Sequence, residues 1–171
     1  MADESFNLID AKLKIIFIGD AGVGKTTIMN RILKKTTQHK NQPTVGVDFR
    51  TMCAQINNRR AKLILWDTAG QETFRSIITG YFRNTAGAFV VFDKTNRKSF
   101  ENLHSWILEV QKHSPDVLLT IIGNKSDTIE NFQVTRREAE LFCDKFSIPY
   151  FETSINSGND TYSYCIQMAH N

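Results

Sequence analysis

The chain of 171 residues, 41% hydrophobic and 23% charged, is long enough for one ordinary globular core and short for two. Its 21 basic and 18 acidic residues leave a net charge of +3, far from the basic stripe of a dedicated nucleic-acid binder; the pairs Lys34-Lys35, Arg59-Arg60 and Arg136-Arg137 are scattered as on a solvated surface. Cys53, Cys143 and Cys165 are odd in number, far apart and without a C-x-x-C pair, which argues against a disulfide framework or zinc knuckle and fits a reducing compartment.

Residues 1–14 are polar and acidic, unlike a signal peptide, and no later apolar run approaches the roughly 18 residues of a membrane span, so the chain is expected to be soluble. Residues 1–11 read as a flexible arm before a single domain over 12–171. The short, branched apolar run 13–18 predicts a buried strand. Glycines follow, and then Ile28, Met29, Ile32 and Leu33 recur at helical spacing within 26–35. The polar, aperiodic stretch 36–46, with Pro43 in it, predicts a long functional loop.

Residues 47–56 and 62–66 are strand-like and joined by a polar turn at 57–60, which predicts an antiparallel hairpin. After an irregular stretch over 67–80, the apolar runs 86–92 and 117–122 flank an amphipathic helix marked by Phe100, Leu103, Trp106, Ile107 and Val110. A helix over 136–146, a short strand at 150–153 and a closing helix at 161–168 complete the order. Strands alternating with helices imply a mostly parallel sheet covered on both faces, with ligands at the carboxyl ends of its strands.

The segment Gly19-Asp20-Ala21-Gly22-Val23-Gly24-Lys25-Thr26 fits the phosphate-loop pattern G-x-x-x-x-G-K-S/T between a strand and a helix, as that motif requires. Its glycines let backbone N–H groups turn toward phosphate oxygens, the helix offers its positive end, Lys25 supplies a mobile charge and Thr26 a hydroxyl for Mg²⁺. A phosphate loop alone leaves kinases, ATPases and GTPases open. About a hundred residues on, Asn124-Lys125-Ser126-Asp127 is an N-K-x-D sequence at the end of a buried strand. The Asp127 carboxylate can accept from guanine's ring N–H and amino group, which adenine cannot donate in that arrangement. Asn124 can bridge base and phosphate loop, and the Lys125 stem can lie against the base.

These motifs, with Trp66-Asp67-Thr68-Ala69-Gly70-Gln71-Glu72, resemble the Ras superfamily and specifically its Rab branch, as a divergent member represented by its G domain. Val45-Gly46-Val47-Asp48-Phe49, Tyr81-Phe82-Arg83 and Phe92-Asp93-Lys94-Thr95-Asn96 extend the likeness over residues 13 to about 158. The resemblance implies an α/β, P-loop NTPase three-layer sandwich: a six-stranded, mostly parallel sheet with one antiparallel hairpin strand, flanked by about five helices. It implies a monomeric small GTPase that binds GTP or GDP with Mg²⁺ and hydrolyses GTP as a switch in vesicle traffic.

By the same resemblance, Asp20, Ala21, Gly22, Val23, Gly24, Lys25, Thr26 and Thr27 hold the phosphates. Thr44 places its hydroxyl on Mg²⁺ and its N–H on the γ-phosphate, Asp67 holds Mg²⁺ through water, and Gly70 donates to the γ-phosphate. Gln71 orients the attacking water, so that Gln71, Lys25, Thr44 and Gly70 form the catalytic set. Ser154, Ile155 and Asn156 stand where the family has S-A-K beside the guanine oxygen. Phe49, Trp66 and Tyr81 match the aromatic triad that reports the switch state to effectors; equally, all three can fill core space.

Implied partners are an exchange factor, a GTPase-activating protein, a GDP dissociation inhibitor and effectors, with no nucleic acid. A cytoplasmic location, cycling to the cytoplasmic face of endomembranes, follows if the full-length protein is prenylated through a lipidated tail absent from these residues. Cys165-Ile166-Gln167-Met168 spells a prenylation box away from the terminus and reads as helix. Thr37 stands where the family usually has an aromatic ring across the guanine, and Asn41 replaces another common aromatic, which predicts faster GDP release. A second reading, a GTP-dependent binding module that barely hydrolyses its nucleotide, is disfavoured by Gln71, Thr44 and Asp67.

Overall fold

The computed structural model describes residues 9–33, 47–56, 58–68, 79–127, 131–154, 163 and 165–167. The first strand, β1 (Ala11–Ile18), begins earlier than its apolar run because Asp10 is already tied down. The Asp10 N–H donates to the Arg60 carbonyl at 2.8 Å and its carboxylate accepts from the Arg60 N–H at 2.7 Å. Ala11 therefore belongs to the sheet rather than to the arm expected over residues 1–11, with Asp10 bonded to Arg60 just before it; residues 1–8 lie outside the described residues. Helix α1 (Lys25–Ile32) follows the glycine loop.

Strands β2 (Val47–Ile56) and β3 (Arg59–Thr68) form the expected antiparallel hairpin, with Ile56 opposite Arg59 and Phe49 opposite Trp66. The turn is tighter than expected, because Asn58 takes a left-handed φ of 60° and lets pairing resume at Arg59. A 3₁₀ turn (Thr79–Tyr81) leads to β4 (Gly87–Asp93), after which come α2 (Arg97–Glu101), α3 (Leu103–His113), β5 (Leu118–Asn124), α4 (Arg136–Phe146) and β6 (Tyr150–Glu152). The single amphipathic helix expected around Phe100 to Val110 is thus divided at Asn102, which caps both pieces. Of the closing helix expected at 161–168, Ser163 and residues 165–167 are described and helical.

The sheet has six strands in the order β2-β3-β1-β4-β5-β6, antiparallel at β2–β3 and parallel elsewhere. Side-chain alternation along β1 divides the core into two layers. Ile16 and Ile18 face α2, α3 and α4, with Phe92, Phe100, Leu103, Trp106, Val110 and Cys143. Ile15 and Phe17 face the opposite side, against Ile28, Met29 and Ile32 of α1. Phe89 of β4 stacks on Phe17 at 5.1 Å, and both rings are fully buried. Helix α4 starts at Thr135, whose hydroxyl accepts from the Glu138 N–H at 3.2 Å, one half of a capping box. The other half is diverted, because the Glu138 carboxylate pairs with Arg97 at 2.5 Å.

Burial pushes the Cys143 and Cys165 thiols up to about 12, so both stay protonated and pack as small apolar groups. Truncating the stacked pair tests the layer under α1. Phe89→Ala is expected to cost about 3–5 kcal/mol in urea unfolding, whereas Leu141→Ala, at a side chain 61% exposed, stays within about 0.5 kcal/mol.

Candidate functional site

The carboxyl ends of β1, β3, β4, β5 and β6 meet along one edge of the sheet, and the phosphate loop opens from the middle of it. Two glycines there are required by space as well as by dihedral angle. At Gly19, with φ 138°, an added Cβ would lie 2.1 Å from the Val91 carbonyl oxygen; at Gly24, with φ 98°, it would lie 2.2 Å from Nδ2 of Asn124. Gly24 is also the N-cap of α1, so that helix begins with no side-chain cap and no acidic residue in its first turn. Its leading N–H groups are left to meet an anion.

Lys25 is buried, and its Nζ donates to the carbonyls of Gly19 at 2.9 Å and Asp20 at 2.7 Å. Desolvation lowers its pKa to about 8, with the Asp67 and Asp20 carboxylates opposing the fall. The Asp20 carboxylate is itself held from α3: Asn102 Nδ2 donates to it at 2.7 Å and Trp106 Nε1 at 2.8 Å. Asp20 therefore turns its side chain away from the loop interior and presents its carbonyl to Lys25. The hydroxyl of Thr26 donates to the Asp67 carboxylate at 2.5 Å, where Asp67 is buried near the end of β3. A hydroxyl and a carboxylate oxygen brought together beside a phosphate loop are hard donors of the kind Mg²⁺ takes.

The base end is joined to the phosphate end directly. Asn124, buried at the end of β5, donates through Nδ2 to the Val23 carbonyl at 2.8 Å. Lys125 follows with a left-handed φ of 61°, and its Nζ pairs with the Asp93 carboxylate at 2.5 Å. The second oxygen of Asp93 accepts from the Thr95 N–H at 2.8 Å and hydroxyl at 2.7 Å, which fixes the carboxylate under the Lys125 stem. Asp127 is exposed. The loop after β6 is stitched to this one, with Thr153 N–H donating to the Gly123 carbonyl at 2.9 Å and Ser126 N–H to the Thr153 carbonyl at 3.1 Å. Ser154 is buried, and its carbonyl accepts from the Arg31 guanidinium of α1.

Of the site residues named from sequence, Asp20, Ala21, Gly22, Val23, Gly24, Lys25, Thr26, Thr27, Asp67, Asn124, Lys125, Asp127 and Ser154 gather on this edge. Thr44, Gly70, Gln71, Ile155 and Asn156 lie outside the described residues, as do Thr37 and Asn41. Sequence reasoning missed the supporting side chains Arg31, Asn102, Trp106 and the Asp93 carboxylate as a partner for Lys125. None belongs to a motif that carries its contact, and each reaches the site from a distant stretch of chain.

The aromatic triad forms a row in which Trp66 packs against the core and Phe49 and Tyr81 reach the surface. Phe49 stacks on Trp66 at 5.3 Å and Tyr81 lies tilted against Trp66 at 5.4 Å, with Phe49 56% and Tyr81 38% exposed. Lys14 Nζ lies 4.9 Å over the Trp66 ring and donates to the carbonyls of Tyr81 and Arg83, so it holds the row from β1.

Because Lys25 titrates at about 8 in the fold and near 10.5 when solvated, the unfolded chain binds more protons between those values. The stability of the ligand-free protein should therefore rise with pH across that window, relieving a penalty present in full below it, on the order of 3 kcal/mol. Lys25→Met should flatten the rise in urea melts; parallel slopes for parent and variant would refute the assignment.

The Ras family model matches residues 14–170. Ras-related protein Rab-8A of Gallus gallus is 42% identical over 146 residues, covering 85% of this chain and 70% of the relative. Ras-related protein Rab-11C of Dictyostelium discoideum is 39% identical over 153 residues, 88% of this chain and 68% of the relative. Rab-8A of Bos taurus is 39% identical over 159 residues, 90% of this chain and 77% of the relative. The chain, in which Asn124 joins the phosphate loop to an N-K-x-D loop, belongs to the Ras family, on its Rab branch, and is a small GTPase, a hydrolase of GTP.

Proposed function

We propose that this chain is a Mg²⁺-dependent GTP/GDP switch of intracellular vesicle traffic, in which the presence or absence of one phosphate sets the conformation of the two switch loops. The observation that carries this reading is the convergence of Lys25, Thr26 and Asp67 with Asn124, Lys125 and Asp127 on one edge of the sheet. Lys25, already aimed by two carbonyls, meets the phosphates, and backbone N–H groups from Asp20 to Thr27 cradle them. Thr26 and Asp67 would hold Mg²⁺, Asp67 through water, with Thr44 joining in the GTP state, and the bound ion would supply positive charge against the phosphates.

Asp127 selects guanine, Lys125 lies along the base with its ammonium held by Asp93, and Ser154, Ile155 and Asn156 present backbone N–H groups to the guanine oxygen. Gln71 orients the attacking water and Gly70 donates to the γ-phosphate. A GTPase-activating partner that supplies an arginine adds roughly 10³ to 10⁵ in rate. Hydrolysis removes the contacts of Thr44 and Gly70, so both loops relax and the Phe49–Trp66–Tyr81 row is offered to effectors in one state only. An exchange factor and a GDP dissociation inhibitor complete a cycle between cytoplasm and the cytoplasmic face of endomembranes, with the chain acting as a monomer.

Displacement of a fluorescent GDP analogue tests the site. Unlabelled GDP and GTP are expected to compete and ATP to fail, by a factor on the order of 10⁴, and chelation of Mg²⁺ with EDTA should accelerate release. Competition by ATP equal to that by GTP would remove Asp127 as selector. For the catalytic set, Gln71→Leu should slow single-turnover GTP hydrolysis at least tenfold, on the order expected for loss of a water-orienting group. A variant as fast as its parent would sink the role of Gln71 and favour the scaffold reading.

A further inference from the structure

Lys94 directly follows β4 and is one of the most buried side chains in the protein, at 2% exposure. Its Nζ lies 2.7 Å from Oε1 of Glu152 and 4.1 Å over the ring of Phe132. The Tyr150 hydroxyl donates to the same carboxylate oxygen at 2.9 Å. Burial and the neighbouring Glu152 charge push the Tyr150 hydroxyl up, so it stays a donor. The backbone of Lys94 is equally committed: its N–H donates to the Asn124 carbonyl at 3.1 Å, and its carbonyl accepts from Gln133 at 2.9 Å and Val134 at 3.2 Å.

This one residue therefore touches both loops of the base pocket. Its main chain holds Asn124, the first residue of the N-K-x-D sequence. Its side chain holds Glu152, the last residue of β6, immediately before Thr153 and Ser154. An ammonium taken out of water is a poor way to gain stability, because desolvation offsets most of the attraction and apolar packing of the same volume does as well. A buried ion pair is, however, directional, and here its direction runs from β4 across β5 to β6, along the edge on which the base would sit.

We infer that Lys94 is a positioning residue for guanine recognition: through its ion pair with Glu152 it sets the spacing between the 124–127 loop and the 153–154 loop. The inference rests on the reading of Asp127 as guanine selector. Lys94 is buried with its ammonium committed to Glu152, so its effect is on discrimination between bases rather than on phosphate binding.

The test compares GDP with inosine diphosphate, which lacks the amino group that Asp127 would accept from. Dissociation constants for both are measured by displacement of a fluorescent GDP analogue, with melting temperature alongside, for the parent, Glu152→Gln, and Lys94→Met combined with Glu152→Gln. The parent should prefer GDP by about tenfold or more, the worth of one hydrogen bond to a charged group. Glu152→Gln, which keeps the shape and loses the charge, should narrow that preference severalfold. The double variant, which leaves neither charge orphaned, should melt near the parent and still lose most of the preference.

A double variant that discriminates as the parent does overturns the inference. So does a fall in melting temperature with GDP and inosine diphosphate weakened equally, since that is what a purely structural pair would give. A parent that binds both nucleotides alike removes the Asp127 selector and this inference with it; a discriminating parent with equally discriminating variants overturns the role of Lys94 alone.

Discussion

A single buried hydrogen bond, from the Asn124 side-chain amide to the Val23 carbonyl, ties the N-K-x-D loop to the phosphate loop. The bond exists only because Gly24 has no Cβ, which would otherwise sit on the amide nitrogen. Gly24 thus serves two ends at once: its left-handed backbone caps the start of α1, and its missing side chain admits Asn124. Removing the amide would leave the Val23 carbonyl without this donor in a buried place, a loss of about 1–3 kcal/mol, and would uncouple the two loops that a nucleotide must bridge.

Around that bond the protein concentrates its buried charge. Lys25, Asp67, Asp93 and Lys94 are all nearly or fully buried, and all lie at the carboxyl ends of strands or at the start of α1. Each is answered by a particular partner: carbonyls for Lys25, Thr26 for Asp67, Lys125 for Asp93 and Glu152 for Lys94. A buried charge that loses its partner is strongly destabilising, so these contacts constrain one another's geometry. The apolar layers on either face of the sheet supply the stability, and the charged edge supplies the shape of the site.

The same sheet connects the site to the surface. Trp66 and Asp67 are consecutive on β3, so their side chains point to opposite faces, Asp67 toward Thr26 and Trp66 toward Phe49 and Tyr81. Any displacement of this end of β3 moves both. Lys14 on β1, paired in register with Ile64, anchors the aromatic row from the adjacent strand. The aromatic row is thereby fixed to β1 and linked through β3 to the Thr26–Asp67 contact.

The sequence by itself determined the six strands, the antiparallel hairpin, the phosphate loop and the N-K-x-D loop, and with them the family. These are legible because each is local: alternation, helical spacing, and motifs in which a few consecutive residues do one chemical job. Its misses were at the ends of elements and in long-range partners. Ala11 joins the sheet opposite Ala61, beside the Asp10–Arg60 contact, and Asn102 divides a helix that periodicity draws as one. Only the tertiary structure decided whether Phe49, Trp66 and Tyr81 were core or surface, because exposure depends on what packs above a side chain rather than on its type. It alone paired Lys125 with Asp93, Asp20 with Trp106, and Lys94 with Glu152. Those partners are brought together by strand order in the sheet, and no local pattern in a linear chain records which distant charge a buried charge will meet.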